Sequence, residues 1–233
     1  MERETFVGID VGTTKVVALI GEVGRDGALT IIGKGIVPAS GLRKGIVVNI
    51  DQTVHSISAA IEKAERHAGY KIERAFVGVG GQHVEGLNSP GQVAVAGPRR
   101  EVAQEDVNRS IEVARAVSIP STREVLHVIP RGYTVDGQEG VMNPLGMSAV
   151  RLEVETHIVT ASATAVQNLT KCVTAADIKI DELVAAGLAS AERALRAVLP
   201  GFEQADVTLI IDKLLVALHV DHTDHLLAYN DRN

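Results

Sequence analysis

The sequence predicts an α/β fold interrupted by a small inserted α+β unit. Apolar, β-branched runs of strand length accompany an amphipathic helical stretch up to Gly81. Between about 82 and 146 the texture changes to short strands around one helix, and strand and helix alternate again from about 150. The 233 residues allow one or two domains, and a 45% apolar fraction is that of a globular chain.

Phe6-Val7-Gly8-Ile9-Asp10 reads as a buried strand, Val11-Gly12-Thr13-Thr14-Lys15 as a tight turn and Val16 to Ile20 as the returning strand. Gly24-Arg25-Asp26-Gly27 makes a second turn before Leu29 to Ile32, and Gly33 to Val48 continues in short β-branched runs, so the simplest arrangement is a three-stranded antiparallel meander. Asp51 is placed to cap a helix over 51–68, with Val54, Ile57, Ile61, Ala64 and Ala68 at helical spacing and Gly69 at its left-handed end. Ile72 to Val79 is a strand that closes parallel to the first and ends in Gly80-Gly81.

In the inserted stretch, strands are expected at Val93 to Ala96, Val125 to Ile129 and Tyr133 to Val135. The helix Gln104 to Val117 carries Glu105 and Asp106 in its first turn, where the helix dipole favours acid. Val150, Leu152, Val154, Thr156 and Ile158 alternate as one long strand, Ser162 begins an Ala-rich helix to about Ala176, and Ile178 to Val184 is a further strand. A helix over Leu188 to Leu199 is stopped by Pro200-Gly201. The last segments, Val207 to Ile211, Leu214 to Val220 and Leu226 to Tyr229, read as strands.

Composition narrows the function. Three Phe, three Tyr and no Trp leave no stacking platform for nucleic acid or sugar, and a net charge of -6 argues against phosphate-backbone binding. A single cysteine, Cys172, forms no internal disulfide, which fits a reducing, cytoplasmic setting. The charged start Met1-Glu2-Arg3-Glu4-Thr5 does not resemble a secretory signal, and no run reaches the roughly 18 apolar residues of a membrane span.

Asp10-Val11-Gly12-Thr13-Thr14-Lys15 is the motif that carries chemistry. Gly12 permits close backbone approach, successive N–H groups with the Thr13 and Thr14 hydroxyls can form an anion nest, Lys15 adds a point charge, and Asp10 can hold hydrated magnesium beside a phosphate. The bland alternative is a plain hairpin with a polar tip.

The wider sequence favours the first reading. Gly8-Ile9-Asp10-Val11-Gly12-Thr13-Thr14-Lys15-Val16 resembles the first phosphate loop of the superfamily of actin, heat-shock ATPases and sugar kinases. Gly41-Leu42-Arg43-Lys44-Gly45-Ile46-Val47-Val48-Asn49-Ile50, Ile61-Glu62-Lys63-Ala64-Glu65, Val77-Gly78-Val79-Gly80-Gly81-Gln82-His83, Asp136-Gly137-Gln138-Glu139-Gly140, Asn143-Pro144-Leu145-Gly146-Met147 and Arg151-Leu152-Glu153-Val154-Glu155 narrow it. Together, from about Thr5 to about Leu195, they resemble the FtsA family of bacterial division proteins.

That resemblance implies an actin-like, ribonuclease H-like fold with an SHS2-like insertion. It implies binding of ATP and magnesium through Asp10, Gly12, Thr13, Thr14 and Lys15. It implies self-association through the insertion and partnership with FtsZ and other division proteins at the cytoplasmic membrane face. The family's subdomain 1A would span 1–81 and 160–205, the insertion (subdomain 1C) 82–159, and a stub of the second actin-like domain 206–233.

The family's second phosphate loop is a glycine-rich Asp-Ile-Gly-Gly-Gly-Thr-Thr-like turn. Here Val207 to Ile211 leads through Asp212 to Lys213-Leu214-Leu215-Val216, where bulky side chains block the backbone approach that glycine permits. The chain ends soon after, so the rest of the second domain and the terminal amphipathic membrane helix are expected to be missing. A charge-assisted phosphate contact contributes about 1.5 to 3 kcal/mol. Micromolar affinity needs roughly 8 kcal/mol, so this chain alone is expected to bind ATP weakly or not at all and not to act as an enzyme. Apolar surface near Val184 to Leu199, uncovered without that second domain, is expected to drive self-association.

Other candidates receive structural readings. His219, Asp221, His222, Asp224 and His225 divide between the two faces of a strand, which disfavours one metal site. Glu153 and Glu155 read as the solvated face of a half-buried strand, Cys172 as a small packing residue and His127 as a structural histidine. Two further functional classes remain as alternatives: a phosphotransferase of the same superfamily, for which neither a cleft carboxylate nor the second loop is found, and a PilM-like pilus adaptor, which the Gly41 to Ile50 and Asp136 to Met147 segments resemble less well.

Overall fold

In the computed structural model, which describes residues 4–24, 29–97 and 100–187, β1 (Glu4–Val11), β2 (Lys15–Val23) and β3 (Leu29–Pro38) form the expected antiparallel meander. A short hairpin of β4 (Leu42–Arg43) and β5 (Ile46–Val47) leads into α1 (Ile50–Ala68). The cap of α1 is Asn49 and not Asp51: its Oδ1 accepts the Gln52 N–H at 3.0 Å, which moves Asp51 into the first turn. Gly69 closes the helix at φ 66°, as its position predicts.

β6 (Arg74–Val79) then pairs parallel with β1. The chain leaves this sheet and returns through α3 (Ala163–Ala175) to β11 (Lys179–Ala185), which pairs parallel with β6. The strand order β11-β6-β1-β2-β3, with β2 alone reversed against its neighbours' frame, is the ribonuclease H-like sheet of the actin-like fold. Val16 to Ile20 is buried at every position, so β2 reads as a continuous apolar run; Val17 and Leu19 pack with Ile36 on one face.

β3 does not stop at Ile32. Gly33 and Gly35 are where α1 lies flush on the strand: a Cβ on Gly35 would stand 1.8 Å from the Ala60 carbonyl oxygen, and one on Gly33 2.8 Å from that of Ala64. These two glycines are therefore the floor on which the helix rests.

The described residues divide into two compact units, one ending at His83 and resuming at Thr164, the other Val84–Ala163. In the second, β7 (Glu85–Ala94), β8 (Arg123–Val135), β9 (Gln138–Val141) and β10 (Arg151–Ser162) form an antiparallel sheet in the order β7-β10-β8-β9, with α2 (Gln104–Arg115) packed on β7 and β10. Leu152, Val102, Val107, Val135 and Ala149 form its core. β10 runs on to Ser162, so Ser162 ends a strand and does not begin the helix.

Two strands differ from expectation for identifiable reasons. β8 is one strand, not two: Arg131 is skipped in its pairing with β10 between Glu155 and Thr156, and this bulge accommodates Pro130. β7 is far longer than Val93 to Ala96; it is an edge strand, where Pro90 is tolerated, and Gly91 lies under α2, its Cβ position 2.0 Å from the Ser110 carbonyl oxygen. The predicted turn at 25–27, the elements beyond 187, the altered second phosphate loop, the histidine cluster and most of the expected self-associating surface lie outside the described residues.

Candidate functional site: the β1–β2 tip

β1 and β2 remain in register to the pair Val11 and Val16, and the Gly12 N–H donates to the Lys15 carbonyl oxygen at 3.1 Å to close the turn. A side chain on Gly12 would set its Cβ 2.9 Å from that same oxygen, so the turn itself demands glycine. Its N–H is thereby committed inside the hairpin and is not a donor of the expected nest, which is left to Thr13 and Thr14. Thr13 and Thr14 are exposed at the tip, and their hydroxyls and N–H groups form no hydrogen bond among the described residues. The Thr14 carbonyl accepts the Ala39 N–H at 3.0 Å, which ties the tip to the chain leaving β3.

Asp10 stands at the carboxyl end of β1, half-buried, in register with Gly78 of β6. A Cβ on Gly78 would lie 2.9 Å from Asp10 Oδ1, and one on Gly12 3.9 Å from Oδ2. The carboxylate thus occupies a notch left by two glycines. The role of Gly78 was not visible in the sequence beyond its place in a matched segment; a glycine within a buried β-branched strand was the available signal.

β1, β6 and β11 all end at this rim, with Val184 beside Gly78 on the far strand. Crevices at the carboxyl ends of parallel strands are the usual ligand sites of α/β sheets. The β4–β5 hairpin closes one side: the Gly45 carbonyl lies 3.2 Å from His83 Nε2, and a cavity of about 10 Å³, room for roughly one water, lies among Val11, Leu42, Gly45, Gly78, His83 and Leu169. The donor set fits one side of a magnesium-bound polyphosphate: two hydroxyls and backbone N–H groups, one ammonium, and one carboxylate suited to a hydrated cation.

The remaining candidates are structural. Glu153 and Glu155 face outward from β10 and pair with Arg151 at 2.9 Å and Arg131 at 3.6 Å, while Leu152, Val154 and Thr156 are buried behind them. Cys172 is fully buried on α3, and burial pushes its thiol up; burial lowers the His127 imidazole. Among the described residues no three His, Cys, Asp or Glu side chains are grouped to hold a metal, and no helix is long and apolar enough to cross a membrane.

Residues 81–160 match the family described as the SHS2 domain inserted in FtsA. The cell division protein FtsA of Pseudomonas aeruginosa is 49% identical over 186 residues, covering 80% of this chain and 44% of that protein. FtsA of Borreliella burgdorferi is 45% identical over 190 residues, covering 82% and 46%. A solved PilM-PilN type IV pilus biogenesis complex shares the fold at 16% identity, with a TM-score of 0.55 over 82% of this chain and 51% of the other. The chain spans less than half the length of the curated relatives it matches. An actin-like sheet, the inserted SHS2 unit described for FtsA and close to half identity across four-fifths of the sequence agree: over the part of those relatives that it spans, the chain is similar to the FtsA cell division proteins.

Proposed function

We propose that the chain is an FtsA-type division component that contributes the first phosphate loop of an actin-like ATP site and an SHS2 interaction unit. In this reading it helps assemble the FtsZ ring and tether it at the cytoplasmic face of the membrane. Asp10, Gly12, Thr13, Thr14 and Lys15 form one wall of the site for ATP and magnesium. The observation that carries the reading is the Asp10 carboxylate seated over Gly78 beside the exposed Thr13-Thr14 tip. Residues 1–81 and 160–205 would be subdomain 1A and 206–233 the start of the second domain. The insertion at 82–159 would meet neighbouring copies and later division proteins; the compact unit Val84–Ala163 supports that assignment.

A one-sided phosphate site binds weakly. Isothermal titration of the chain with Mg-ATP is expected to give a dissociation constant well above micromolar; a micromolar value would overturn the expectation that the altered second loop no longer serves. Co-sedimentation with FtsZ polymers, run beside an ATP turnover assay, separates the division role from a phosphotransferase. Pelleting without turnover is the expected result, and turnover without pelleting would favour the enzyme.

A further inference from the structure

The turn of the β4–β5 hairpin is Lys44-Gly45, with φ of 53° and 82°. Positive φ at both positions is the geometry that two-residue hairpins favour, and glycine, asparagine or aspartate ordinarily fills the first. A lysine there is sterically disfavoured. The turn is also fixed in place. A Cβ on Gly45 would lie 2.3 Å from the Gly80 carbonyl oxygen, and one on Gly81 would lie 2.8 Å from the Lys44 carbonyl oxygen, so the Lys44-Gly45 turn and the Gly80-Gly81 pair meet backbone to backbone.

That contact sets Lys44 on the rim already described. Gly80 follows the end of β6, two residues past Gly78, and Gly78 carries the Asp10 carboxylate. Two strand residues span roughly 6.6 Å, about the reach of a lysine side chain. Val11 and Gly45 line the same small cavity, so the hairpin flanks the end of β1 as well as that of β6. Lys44 is exposed and pairs with no carboxylate among the described residues.

We infer that Lys44 is a second cation for the polyphosphate bound at the Thr13-Thr14-Lys15 tip, approaching from the β6 side while Lys15 approaches from β2. This rests on the phosphate-site reading above. Lysine would be kept at a left-handed position because its ammonium faces the ligand; glycine would make the easier turn.

Amide shifts of the isotope-labelled full chain, titrated with inorganic tripolyphosphate and magnesium into the millimolar range, test both readings. Shifts at Thr13 and Thr14 are expected. Lys44→Gly keeps the turn, because glycine takes positive φ without strain, and is expected to weaken binding roughly tenfold, as is Lys15→Ala. Lys71→Ala, which removes an equal charge at the opposite end of β6, is expected to leave affinity unchanged. No shift at Thr13 and Thr14 would overturn the phosphate site and this inference with it. Shifts whose affinity falls with Lys15→Ala but not with Lys44→Gly, or falls equally with Lys71→Ala, would overturn the role of Lys44 alone.

Discussion

Gly35→Val is expected to destabilise the actin-like unit by at least about 3 kcal/mol, the upper range for inserting carbon into a packed interior. The Cβ of any residue here would stand 1.8 Å from the Ala60 carbonyl oxygen and 2.8 Å from the Ala64 nitrogen. Both are backbone atoms of α1, so no side chain can rotate away; the helix itself must lift from β3. Lifting it opens the contacts of Ile57, Ala60, Ile61 and Ala64, all buried. Gly91→Val is expected to act alike in the SHS2 unit, where Ser110 and Ala114 of α2 take the parts of Ala60 and Ala64. Gly132 is the contrast: nothing lies within 4 Å of its Cβ position and its φ is not positive, so Gly132→Ala is expected to be neutral or to stabilise by about 0.5 kcal/mol. Thermal and urea denaturation of the three variants would decide. A Gly35→Val protein that melts like the parent would mean that α1 does not sit on β3 as described.

The same glycines mark where sequence reading stopped. Period and capping located α1, the meander and the parallel closing strand, because those signals are local to each element. The expected strands stop at Ile32 and start at Val93, and the part played by Gly33, Gly35 and Gly91 was not legible, because a glycine's neighbour across a helix–strand interface cannot be read from the residues beside it. The expected separation of Val125 to Ile129 from Tyr133 to Val135 fails for a similar reason: the bulge that accommodates Pro130 between them depends on a partner in β10. At the candidate site, Asp10, Gly12, Thr13, Thr14 and Lys15 were legible because they are consecutive on one hairpin. Gly78 and the Lys44-Gly45 turn joined them only through the register of β1 with β6 and the contact with Gly80-Gly81.

Asp106 was read as an acid favoured by the helix dipole, as Glu105 was, but the two have different surroundings. Glu105 is exposed, whereas Asp106 is 1% exposed. Its Oδ2 accepts the Ala103 N–H at 3.0 Å, its Oδ1 accepts the Ala96 N–H at 3.1 Å, and it pairs with Arg109. Ala103 at the N-cap has no side-chain acceptor, so this one carboxylate serves the start of α2 and also fastens the chain leaving β7. Asp106→Ala strips both N–H groups and is expected to cost about 3 kcal/mol. Glu105→Ala removes only an exposed dipole partner, about 0.5 kcal/mol.

The charge dependence has a definite sign. Burial raises the Asp106 carboxyl, but the Ala103 N–H, the Arg109 guanidinium and the Ala96 N–H together hold it below the ordinary carboxylate value. A carboxylate that is more acidic folded than unfolded stabilises fully above the unfolded pKa of about 3.9, and that contribution disappears as pH falls through the lower folded value. The stability gap between the parent and Asp106→Asn should therefore be flat from pH 7 to about 5 and narrow below about pH 4. Asp136, held low by the Val150 and Arg151 N–H groups, titrates in both proteins and cancels from the difference. Urea denaturation at pH 7, 5, 4 and 3 measures the gap. One that persists undiminished at pH 3 would assign the effect to the shape of the side chain and not to its charge.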